Sequence, residues 1–136
     1  MAVNIVGRAL LAIPVGLVVG FILGALVAIT AQAFIAPTEF INKLPDSVFF
    51  GGIPGVEIGC ILFSLCYWIF LIRIPLEKVV VPVAAGTYVG AVLGMAVSRL
   101  TGFMTYEAIL IGAASGCALT CAVMRRRYSA LKSDRR

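Results

Sequence analysis

Side chains able to do chemistry are few in this sequence, and their spacing excludes more than it offers. Histidine is absent from all 136 residues, which removes His-ligated haem, imidazole metal sites and imidazole general bases. The four cysteines, Cys60, Cys66, Cys117 and Cys121, all fall inside apolar runs, and no two of them form a Cys-x-x-Cys pair. That placement makes a poor disulfide framework or zinc site. It predicts buried free thiols acting as small apolar side chains, with no metal and no cofactor. Paired carboxylates, a nucleophile with its base and a phosphate-binding glycine loop are also missing. The expectation is a protein that is not an enzyme.

One polar stripe stands out. Glu57, Cys60, Ser64 and Tyr67 follow at spacings of three, four and three, which keeps them within about 80° of one helix face. This sustained stripe contains an ionisable group, and ionisable groups at membrane depth mark functional sites by default. It is therefore a candidate polar path. The alternative is that Glu57 lies at the interface, facing headgroups or favouring the N-terminus of its helix. Thr30, Gln32, Ser115 and Thr120 can bond across helices or back to their own carbonyls, and Tyr88 needs a partner for its hydroxyl.

The elements that must position these groups follow from composition. The chain is 62% hydrophobic and 12% charged, with a mean hydropathy of +1.10. A soluble domain is roughly 45–50% apolar and about 25% charged, so an ordinary water-soluble globule is excluded. No ionisable residue occurs between Arg8 and Glu39, which leaves residues 10–34 as a first span. Residues 55–72, 79–98 and 106–124 are further apolar runs near bilayer length. Backbone satisfaction in lipid makes these runs helical, and the alternation expected of a transmembrane barrel is not present. The predicted class is an all-α integral membrane protein, a single domain of four transmembrane helices. Ala31-Gln32-Ala33 resembles a signal-peptide cleavage site, but the apolar run before it is about twice the usual 7–15 residue length. It reads as a retained span.

Basic residues set the expected orientation. Arg8, Arg73, Lys78, Arg125, Arg126, Arg127, Lys132, Arg135 and Arg136 fall on one side, and Lys43 and Arg99 on the other. Such asymmetry predicts that both termini are cytoplasmic, in a bacterial inner membrane or its equivalent. Residues 37–54 read as an external interfacial loop, a short interfacial helix or re-entrant flap lying on the bilayer, with Phe40, Phe49 and Phe50 as membrane anchors. The basic tail 125–136, with Arg125, Arg126, Arg127 and Lys132, reads as a contact for anionic lipid rather than for nucleic acid.

Glycine is patterned. Gly16, Gly20 and Gly24 in the first span match Gly86, Gly90 and Gly94 in the third, and Pro14 and Pro82 precede the two triplets. Gly55 and Gly59 in the second span match Gly112 and Gly116 in the fourth, each pair ending in Gly-Cys. The chain therefore reads as two copies of one helical hairpin. Four-residue glycine spacing bares one helix face for close packing, which drives helix association in lipid. Two functions are compatible with these features. One is a structural or accessory subunit that packs through glycine-zipper faces against other membrane subunits or copies of itself. The other is a self-assembling small channel or transporter whose path follows the Glu57, Cys60, Ser64, Tyr67 stripe.

Overall fold

A computed structural model describes residues 2–35, 37–71, 74–102 and 105–133. Four helices account for nearly all of them: α1 (Ala2–Ile35), α2 (Phe40–Cys66), α3 (Leu76–Thr101) and α4 (Thr105–Ser133). Four stretches are long and apolar enough to cross a membrane: Val6–Ala33, Ile41–Leu71 (α2 and the turn that follows it), Leu76–Thr101 and Tyr106–Ala130. The chain is thus a four-helix, multi-pass membrane protein.

The helices pack as two hairpins. In the first, α1 and α2 touch through glycine: a methyl on Gly20 would lie 2.8 Å from the Cα of Gly59, and one on Gly24 2.7 Å from the Cα of Gly55. The second hairpin is built the same way, with a methyl on Gly90 falling 3.0 Å from the Cα of Gly116. At these separations backbone meets backbone, and only a bare Cα fits. The glycine faces are therefore engaged within each hairpin.

Three details differ from the sequence reading. Residues 40–54, expected to belong to an external loop, are a continuous part of α2, preceded by a 3₁₀ turn over Pro37–Glu39. Helix is required there because Gly51 must lie against α1, where a methyl would stand 2.6 Å from the Gly24 carbonyl oxygen. Pro45 and Pro54 are accommodated inside the helix, as neighbouring helices in membranes allow. At its other end α2 widens into a π-helical turn, Tyr67–Leu71, and the Tyr67 hydroxyl donates to the Ile74 carbonyl at 3.1 Å. The tail expected from residue 125 likewise continues α4 to Ser133.

The connections are short. Gly102, at φ 69°, ends α3 in the left-handed region, and its N–H donates to the Ser98 carbonyl at 2.9 Å; glycine adopts that conformation without penalty. At the start of α2, an ion pair joins Glu39 to Lys43, and the neighbouring ammonium lowers the Glu39 carboxyl below its usual pKa. All four helices converge in one apolar cluster that includes Ala12, Phe63, Tyr67, Leu71, Val83 and Cys121.

Gly20→Val tests the backbone contact. Overpacking a tight site typically destabilises by about 1–3 kcal/mol, and Gly20 faces backbone that cannot rotate away, so the loss should reach about 3 kcal/mol. Gly7→Ala, where nothing lies within 4 Å, should change little. Reversible unfolding in mixed micelles, followed by far-UV circular dichroism, measures both; equal stability of the two variants would refute the contact.

Candidate functional site

The two hairpins enclose a cavity of about 410 Å³. Its first wall is the bared face of hairpin one, including Gly20, Gly24, Gly51 and Gly55, and its second wall includes Thr87, Tyr88 and Ala113 of hairpin two. Gln32, Ser47 and Tyr106 supply polar groups, and the lining extends to the cysteine Cys117. Both walls mix small residues with larger ones, Gly24 and Phe50 on the first and Ala113 and Tyr88 on the second, and the space lies between them.

A hydrogen bond crosses from one hairpin to the other. The Thr30 hydroxyl donates to the Leu26 carbonyl at 2.7 Å and lies 2.7 Å from the Tyr88 hydroxyl. Because the single hydrogen of Thr30 is committed to Leu26, Tyr88 is the donor in the second bond. Tyr88 thus finds the partner that its position required.

A second concavity lies on the far face of hairpin two. This groove of about 950 Å³ is lined by α3 and α4 alone, with Ala85, Gly90, Gly94, Gly112 and Ser115 along it. Its rim residues Val89, Leu93, Ile111 and Leu119 are exposed. The equivalent glycine face of hairpin one is covered by hairpin two, whereas this one is open.

The stripe predicted from Glu57 to Tyr67 is not gathered into one path. Glu57 is exposed on the outside of α2 and stands midway along the apolar stretch Ile41–Leu71, not at the start of a span as the 55–72 boundary predicted. The Cys60 thiol bonds to the Ile13 carbonyl across hairpin one at 3.9 Å. Ser64 is buried with no hydrogen-bond partner for its hydroxyl, and Tyr67 is closed onto Ile74. None of the four lines the inter-hairpin cavity.

Of the anticipated lipid contacts, Arg125, Arg126 and Arg127 are exposed on α4. The side chain of Lys132 and residues Arg73, Arg135 and Arg136 lie outside the described residues. Phe49 and Phe50, expected as membrane anchors, are exposed within the candidate span Ile41–Leu71, Phe50 also lines the cavity, and the Phe40 side chain lies outside the described residues.

Sequence reasoning missed one grouping. Cys66, Cys117 and Cys121 come together, with their sulfur atoms all within 4.8 Å of one another. The available signal was the four-residue spacing of Cys117 and Cys121, which puts both thiols on one helix face; the arrival of Cys66 from α2 had no local signature. Comparison with models of protein families, with curated proteins and with solved structures found no match.

The bond between hairpins is open to a double-mutant cycle. Thr30→Val and Tyr88→Phe each keep shape and remove one hydroxyl. Their coupling should be about 0.6 kcal/mol and no more than ~1.7, the range for interhelical hydrogen bonds in membranes. Additive losses in reversible unfolding would show that the two hydroxyls do not interact.

Proposed function

We propose that the chain is a non-catalytic membrane protein that builds an assembly, a structural subunit whose open glycine groove receives a hairpin from a neighbouring copy. The observation that carries this is the unequal use of one surface. The glycine face of hairpin one is covered by the flank of hairpin two bearing Val83, Thr87 and Ala91, and the matching face of hairpin two is uncovered. If the hairpins are repeats, Ile13, Leu17 and Phe21 are the counterparts of that covering flank, and all three are exposed. Each copy would then offer a groove at one end and its complement at the other. Such a head-to-tail interface closes into a ring when its rotation permits, and the membrane plane restricts that rotation to the membrane normal.

Glu57 supports the same reading. An ionisable side chain exposed midway along an apolar span is expensive in lipid, and such groups nearly always face protein or water. Protein over the outer face of α2, beyond the contact between groove and α1 flank, would remove that exposure. The glycine zippers then act at two levels, joining helices within hairpins and hairpins between copies. The surplus of basic residues on one side favours cytoplasmic termini, with Arg125, Arg126 and Arg127 against anionic lipid.

The inter-hairpin cavity favours a second reading, a small channel or transporter. Its lining offers Thr87, Tyr88 and Gln32, a polar set different from the Glu57 stripe.

Ser115→Trp tests the assembly. Ser115 is exposed in the open groove, so an indole there blocks docking without entering the hairpin. Native mass spectrometry from membrane nanodiscs should give a multiple of 14.4 kDa for the wild type and a monomer for Ser115→Trp. Val81→Trp, on an exposed site away from the groove, should keep the multiple. A monomeric wild type would overturn self-assembly, and a mass containing other polypeptides would make the chain an accessory subunit. Solute flux through vesicles of monomeric Ser115→Trp would favour the channel or transporter.

A further inference from the structure

Three sulfur atoms meet where two hairpins join. Cys66 ends α2 at the start of the π-helical turn, and Cys117 and Cys121 lie one turn apart on α4. Cys117 and Cys121 are 1% and 0% exposed, and Cys66 is half-buried. Phe63, Tyr67, Leu71, Val79 and Val83 form the apolar shell. Met124, three residues beyond Cys121 on α4, packs against the same cluster. Apolar packing explains why each cysteine is buried, but it gives no reason for thiols from two helices to converge.

We infer that Cys66, Cys117 and Cys121 form a binding site for a soft, thiophilic metal ion, copper(I). A metal–thiolate bond is about 2.3 Å, so sulfurs sharing one ion lie about 3.8–4.0 Å apart. The present spacing, all within 4.8 Å, reaches that by small side-chain rotations. Hard cations require six or more oxygen ligands, which the apolar shell does not provide. Zinc takes a fourth ligand, and among the described residues no further His, Cys, Asp or Glu joins the three sulfurs. Copper(I) is selected by soft thiolate and thioether ligands and is satisfied by three of them.

Loading is coordination without redox change. At each coordinating cysteine the S–H bond breaks heterolytically, sulfur keeps the electron pair and donates it to copper, and the proton leaves to water. Copper enters and remains as copper(I), so no oxidant or reductant is needed. Arg125, one helical turn beyond Cys121, is the nearest basic residue along α4. The site stands on the placement of the sulfurs, whether or not the chain assembles or transports.

The test is an anaerobic titration of the full chain in detergent with copper(I), competed against a chromophoric copper(I) chelator, followed by X-ray absorption of the loaded protein. One copper(I) per chain with a sulfur-only shell is expected. Cys66→Ser, Cys117→Ala and Cys121→Ala should each weaken binding by about 10–100-fold or more, since even supporting residues around metal sites have effects of that size. Cys60→Ser, outside the cluster, should bind as the wild type does. Circular dichroism without metal identifies any variant that fails to fold; the wild-type shell and the half-buried Cys66→Ser then decide. Failure of the wild type to compete, oxygen or nitrogen in the shell, full affinity in folded Cys117→Ala, or equal damage from Cys60→Ser would each overturn the site. So would tight binding of zinc(II) without copper(I).

Discussion

Lipid gives helices no hydrophobic reason to leave it for one another, because a leucine side chain is as well solvated by acyl chains as by protein. Association must come from close contact, and here that contact is between main chains. Gly20 against Gly55 and Gly59, and Gly90 against Gly112 and Gly116, bring backbone dipoles and Cα–H groups within reach of facing carbonyls, an arrangement that adds weak hydrogen bonds to dispersion. Any side chain larger than hydrogen would separate the axes and lose both. The rest of the molecule depends on this constraint. It makes each hairpin a stiff unit, it draws residues 40–54 into helix, and it leaves the hairpins themselves to meet through larger, less regular surfaces.

The same constraint explains why the two hairpins are unequal despite their similar glycine spacing. A glycine face that pairs two helices also leaves a shallow trough beside the seam. In hairpin one that trough meets the side chains of α3 and α4, which bridge it incompletely and leave the cavity. In hairpin two the trough faces away from the rest of the chain. Two units packed face to face would hide both troughs and leave no surface for growth. Packing face to flank hides one, so the arrangement has a direction along the membrane plane, and a directed interface can be repeated by further copies.

Most of the fold was legible because its cause is local. Runs of apolar residues set the number of helices. The boundary of α2 was not legible, because Asp46, Gly51, Gly52 and Pro54 carry strong loop signals that are overridden by contact with a helix many residues away. Glu57 changed its place along the helix for the same reason: once α2 begins at Phe40, the glutamate falls near the middle of the apolar stretch. Cys117 and Cys121 could be put on one face from spacing alone, but Cys66 reaches them only through the packing of the two hairpins. Tyr88 could be said to need a partner, and nothing local pointed to Thr30.

How the hairpins are held together differs from one contact to the next. Between α1 and α3 the tie is polar and short, Tyr88 to Thr30. Around the cysteines it is apolar, with all four helices contributing to one cluster. A metal ion shared by Cys66 of α2 and Cys117 and Cys121 of α4 would add a third kind of tie, since its ligands come from both hairpins. An ion that binds the joined arrangement and not the separated one stabilises the joined arrangement by linkage, to an extent that grows with its concentration. The cavity adjoins Cys117, so the ion would also sit at the boundary of the open space between the hairpins. Through its sulfur ligands, the soft ion would thus set how firmly two glycine-built units are joined, which is the one degree of freedom that the backbone contacts within each hairpin do not fix.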